Sequence, residues 1–101
     1  MNLVEYKLKA KVWVYPRQAA WHFVSVPPKE TAEIKQIFQG LSRGFGSFPV
    51  TVTIGTTSWK TSVFPDNKTK TFLLPIKVLV RKKEQILAGT KIEFKLKFKD
   101  L

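Results

Sequence analysis

The stretch from Phe72 to Phe98 constrains the fold more than any other. It runs Phe72-Leu73-Leu74-Pro75, then Ile76-Lys77-Val78-Leu79-Val80-Arg81-Lys82-Lys83, then Gly89-Thr90, then Ile92-Glu93-Phe94-Lys95-Leu96-Lys97-Phe98. This reads as a short strand ending at a proline, a helix over 76–84, a glycine turn and a long strand. Ile76, Leu79, Val80 and the stem of Lys83 share one helix face, and Lys77 and Arg81, four residues apart, share another. In the last strand Ile92, Phe94, Leu96 and Phe98 face inward, while Lys91, Glu93, Lys95, Lys97 and Lys99 face outward. A weaker copy lies upstream: Phe23-Val24-Ser25-Val26-Pro27, a helix, a glycine turn and Val50-Thr51-Val52-Thr53-Ile54. Two such units suggest a compact barrel with an internal pseudo-repeat.

The rest of the chain fills in that barrel. Residues 3–15 alternate: Val4, Tyr6, Leu8, Ala10, Val12 and Val14 on one side, Glu5, Lys7, Lys9, Lys11, Trp13 and Tyr15 on the other. A period of two means one half-buried strand. Trp21 to Val26 reads as a second strand. A helix over 28–39 follows Pro27-Pro28, with Ile34, Ile37, Phe38 and Leu41 as its buried stripe and Gly40 closing it. Val50–Ile54 and Trp59–Phe64 form a hairpin around Gly55, and Pro65-Asp66-Asn67-Lys68 is the next turn. The fold class is therefore mainly β: a small barrel of about seven strands with two short helices. At 101 residues it is one domain, 1–101, burying about 65% of the surface its unfolded chain exposes.

No cysteine is present, which excludes disulfides and thiolate metal sites and fits a reducing compartment. Charged residues interrupt the first strand, so no leader is visible, and no apolar run approaches the roughly 20 residues of a membrane span. A cytoplasmic protein, a monomer or weak dimer away from membranes, is the expectation. Eighteen Lys/Arg against seven Asp/Glu give a formal charge of +11, which attracts anionic partners such as nucleic acid or an acidic protein. Lys7, Lys9 and Lys11, with Trp13 as an exposed stacking residue, and Lys95 and Lys97 of the last strand are the candidate nucleic-acid contacts. The plain alternative is that these lysines only solubilise the strands and discourage edge pairing. Trp21 and Trp59 read as buried aromatics.

Catalytic patterns are missing from the sequence. His22 is the single histidine, sits in a strand and reads as structural. The acids Glu5, Glu30, Glu33, Asp66, Glu84, Glu93 and Asp100 are scattered, and no serine stands in a nucleophile motif. The expectation is a small basic binding or scaffold module without catalytic activity, metal or cofactor. A weak nucleic-acid-binding protein is one alternative. Another is an enzyme whose site is completed by distant residues or a partner domain. The anion site is placed where the first half's longer turn, Arg43, Gly44 and Phe45, would approach Lys60 and Ser62 of the hairpin and Lys77 and Arg81 of the second helix. Such a group would offer a phosphate or carboxylate both charge and donors.

Four motifs resemble a known family. They are Trp21-His22-Phe23-Val24-Ser25-Val26-Pro27, Arg43-Gly44-Phe45-Gly46-Ser47-Phe48-Pro49-Val50, Trp59-Lys60-Thr61-Ser62-Val63-Phe64-Pro65, and Leu73-Leu74-Pro75-Ile76-Lys77 with Val80-Arg81-Lys82. Together they resemble the bacterial domain-of-unknown-function family 1905, over almost the whole chain. The resemblance implies a single-chain split β-barrel and brings no activity, cofactor or ligand. Residues 72–98 also resemble, more weakly, the swapped-hairpin unit of AbrB/MazE-type transcription factors, a likeness of fold only.

Overall fold

The computed structural model describes residues 3–17, 20–38 and 46–99. Its elements are β1 (Leu3–Lys11), β2 (Trp13–Val14), β3 (His22–Val26), α1 (Pro28–Ile37), β4 (Phe48–Ile54), β5 (Thr57–Asp66), β6 (Thr71–Pro75), α2 (Val78–Lys83) and β7 (Lys91–Lys99). The strands form one antiparallel sheet in the order β1-β7-β4-β5-β6-β3-β2, curled into a half-barrel. The strands that correspond in the two halves of the pseudo-repeat pair with each other, β3 with β6 and β4 with β7.

Two segments serve both sides of the curl. β5 pairs with β4 through Val63 and with β6 from Phe64 onward. The chain of β1 and β2 does the same: β1 pairs with β7 and β2 with β3. The expected single strand over 3–15 is therefore two strands, broken at Val12. There the backbone leaves the ladder without losing its partners, since the Val12 N–H donates to Thr90 O at 2.9 Å and its carbonyl accepts from Gly89 N–H at 2.7 Å. Strands that change partner at a bend make the corners of such folds. An alternating pattern that continues through a one-residue bend does not reveal it.

The core lies between the two sides. Val24, Val26, Phe72 and Leu74 face Val50, Val52, Phe94, Leu96 and Phe98, with Val12 and Val63 at the corners and Ile34, Phe38, Val80 and Ile86 closing the cluster. In α1 Thr31 and Ile34 are buried, as is Phe38 at its C-cap, whereas Ile37 is 52% exposed, so the stripe is shifted from the expected one. Leu41 and Gly40 lie outside the described residues. Thr31 earns its place by hydrogen bonding: its hydroxyl donates to Val26 O at 3.0 Å and accepts from Phe72 N–H at 3.1 Å. That ties α1 to β6 and satisfies two buried backbone groups.

The second helix starts later than expected. Pro75 still belongs to β6, opposite Phe23, and Ile76 N–H donates to His22 O at 2.9 Å. The chain thus stays extended until Lys77, the N-cap. Leu79, expected on the buried face, is 71% exposed, while Ile76 and Val80 are buried. The turn expected at 65–68 is likewise displaced. β5 runs through Pro65 because Asp66 makes its own turn, accepting from Lys68 N–H and from the Thr69 hydroxyl.

Tyr6 links β1 to α1, its hydroxyl donating to Glu33 Oε1 at 3.1 Å. Burial, then the hydrogen bond to Glu33 and the charges of Glu33 and Glu30, push its phenol from 10.0 up to about 12. The folded state thus holds this proton more tightly than the unfolded chain. Tyr6 contributes its full share of stability below about pH 10 and loses it as pH rises toward 12. Tyr6→Phe should therefore lose less stability than the parent across that interval, read as the shift of urea midpoints with pH. Equal losses would show that Tyr6 ionises freely.

Candidate functional site

The outer face of the β2-β3-β6-β5 side is apolar. Register sets Trp13 opposite Phe23 and Phe23 opposite Pro75, and sets Leu73 between Ser25 and Phe64. Phe23 is 7% exposed yet stands outside the barrel core cluster. It is covered on the outside by the rings of Trp13, at 5.1 Å, and Trp21, at 6.1 Å. The Trp13 indole N–H donates to Ser25 Oγ at 3.0 Å. Trp13 is therefore half-buried and fully engaged, not the free stacking residue expected beside the lysines. Trp21 reverses its expectation too: it is 57% exposed, whereas Trp59 is partly buried and packs on the core.

Beside this layer lies a cleft of about 680 Å³. Trp21, Phe23, Phe64, Leu73 and Val78 supply much of its apolar wall, and His22, Lys77 and Arg81 its polar edge. Arg81 is held in place by three contacts. Its Nε–H donates to Ile76 O at 3.0 Å, Nη2 donates to Ala20 O at 3.2 Å, and Nη1 donates to His22 Nε2 at 3.3 Å. For Nε2 to accept, the imidazole proton sits on Nδ1, which donates to Ala20 O at 3.3 Å. His22 thus bridges the Ala20 carbonyl and the Arg81 guanidinium. Among the described residues, the ion pairs join Lys9 to Glu93 and Lys95 and Lys97 to Glu5, and none involves Arg81.

Of the residues proposed for an anion site, Lys77 and Arg81 meet at this cleft. Lys60 and Ser62 lie on the part of β5 paired with β4, opposite Thr51 and Pro49. The cleft meets β5 further on, at Phe64, so these two do not line it. Arg43, Gly44 and Phe45 lie outside the described residues. Sequence reasoning missed the apolar wall. A signal for it existed, because Phe23-Val24 and Phe72-Leu73-Leu74 are unbroken apolar runs, and such runs need cover on both faces of a sheet.

The lysines gather elsewhere. Register aligns Lys7 with Lys95 and Lys11 with Lys91 across β1 and β7, and aligns Thr53 of β4 with Lys95. Lys9 faces Glu93 at 3.4 Å, and Glu5 lies 4.0 Å from both Lys95 and Lys97. A polar depression of about 560 Å³ runs along this face beside Lys7, Lys9, Thr53, Glu93 and Lys95. The fold thus brings Lys7, Lys9, Lys11, Lys95 and Lys97 to one surface and leaves Trp13 off it.

Among the described residues, no group of three or more His, Asp or Glu side chains could hold a metal ion, and no helix is long and apolar enough to cross a membrane. The fold and cleft define a small antiparallel half-barrel domain with an external apolar cleft edged by cations. The chain belongs to the family described as Domain of unknown function (DUF1905), whose profile matches residues 9–96. No curated protein matches it.

Proposed function

We propose that this protein is a non-catalytic binding module that takes an anionic partner at the cleft beside Arg81 and Lys77. The observation that carries this is Arg81. Its guanidinium is fixed by three backbone and imidazole contacts at the wall of a concave apolar site, with no carboxylate partner among the described residues. A cation set in apolar surroundings without a counter-charge favours an incoming anion. Titration with acetate and with inorganic phosphate, followed by amide chemical shifts, should move the signals of Lys77–Arg81 and His22. Arg81→Gln should remove that response, and a response spread evenly over the lysines would contradict the reading.

A second reading, nucleic-acid binding, is favoured by the in-register Lys7–Lys95 and Lys11–Lys91 pairs, which set like charges side by side. Phosphates would relieve that repulsion. Duplex DNA should then shift β1 and β7 amides, with affinity falling by a log–log salt slope near −0.9 per phosphate neutralised. No shift at low salt removes this reading.

A further inference from the structure

We infer that the cleft recognises a small amphipathic monocarboxylate, an acyl or aryl acid whose carboxylate meets Arg81 and whose apolar body lies along Phe23, Leu73 and Phe64; this rests on the anionic reading above and specifies its ligand class. The cleft's volume of about 680 Å³ falls within the roughly 300–1,000 Å³ typical of small-molecule sites. Its composition decides the class. Among the described residues, no Asp or Glu lines it, and the apolar residues outnumber the charged ones, which are Lys77 and Arg81. A polyanion would have to shed far more hydration against such a wall than one guanidinium and one ammonium return. A single carboxylate on an apolar body matches both parts of the lining.

Arg81 has the donors left for this. A guanidinium carries five N–H groups. One on Nε, one on Nη1 and one on Nη2 are spent on Ile76 O, His22 Nε2 and Ala20 O, which leaves one N–H on each terminal nitrogen for a carboxylate. The side chain is already ordered, so binding loses little of its rotamer freedom. The exposed apolar residues point the same way. Trp21, Phe64 and Val78 are all among the large hydrophobic side chains left open to solvent, and all three line this one cleft. Covering them is where an apolar ligand body gains its affinity.

The test uses the full chain with octanoate, 2-naphthoate, acetate, inorganic phosphate and neutral octanol as probes, followed by amide and indole chemical shifts. Octanoate or 2-naphthoate should saturate shifts at His22, Phe23 and Ile76–Arg81, and bind about tenfold or more tightly than acetate or octanol. Arg81→Gln should weaken octanoate by about tenfold. Because Arg81 also holds the Ala20 carbonyl, Phe64→Glu serves as an independent variant: it leaves the Arg81 contacts untouched, sets an acid at the lip and should abolish binding. If acetate or phosphate shifts the cleft amides and neither amphipathic acid binds more tightly, the ligand class is overturned and the anionic reading stands. If octanol binds as tightly as octanoate, the carboxylate is irrelevant and both fall. Octanoate binding that survives Phe64→Glu unchanged overturns this site.

Discussion

Phe72→Ala should destabilise the protein by about 3–5 kcal/mol. Phe72 is fully buried at the centre of the core, edge-on to Phe48 at 5.4 Å, with the Lys35 ammonium 5.6 Å from its ring centroid. It lies on β6 beside β3 and β5, and its backbone N–H carries the Thr31 bond that anchors α1. Truncation removes the ring's buried area and leaves a cavity among side chains already set by two strands and a helix. Against a total stability of roughly 5–15 kcal/mol, the loss is a large share of what holds the fold together. Phe72→Leu, which keeps most of the volume, should lose clearly less. Urea denaturation of both variants measures this, and near-equal midpoints for Phe72→Ala and the parent would mean that the core collapses to fill the gap.

Gly55→Ala should cost more than Gly89→Ala although both glycines have positive φ. Gly55 opens the two-residue β4–β5 turn with φ +58, and Thr56 is not left-handed, the pattern of a type II′ hairpin. A Cβ there would collide with the Glu84 carboxylate, whereas at Gly89, φ +88, it would meet nothing within 4 Å. Both substitutions carry the positive-φ penalty of about 1–2 kcal/mol. Gly55→Ala must in addition displace Glu84, which accepts from the Thr57 hydroxyl at 2.5 Å and the Thr56 hydroxyl at 3.4 Å. The carboxylate is the end of a flexible side chain and can swing aside, so the extra cost is limited to these solvent-exposed or half-buried hydrogen bonds and the gap between the two variants should be about 0.5–1.5 kcal/mol. It should shrink in a Glu84→Ala background, where the obstruction is gone. A gap unchanged by Glu84→Ala would place the cost in the turn alone.

These two positions also show why the fold was largely readable in the sequence and the candidate site was not. Phe72 sits in a strand whose apolar character is visible locally, and Gly55 sits between two alternating runs, so strand and turn follow from neighbouring residues. Glu84 gives no local hint that it reaches the hairpin, a contact across 27 residues. The cleft has the same character. Arg81 draws on Ala20, His22 and Ile76, and the wall on Trp21, Phe64 and Leu73. No spacing rule joins those positions.

By itself the sequence determined the β-rich class, the strand–helix–strand units, the inward faces of β4 and β7 and the basic outer face of β1 and β7. Each follows from side-chain alternation or from turn chemistry acting over a few residues. Only the tertiary structure decided the rest. It bends the first strand at Val12 and carries β5 past Pro65, because one chain must serve both sides of the curl. It holds back the start of α2, because Ile76 is spent on β3. It lays Trp13 over Phe23 and Ser25 on the outer face while leaving Trp21 at the lip of a cleft. Which partner a strand meets, and which face of an all-apolar run stays uncovered, depends on closing the sheet, and sheet closure joins residues far apart in the chain.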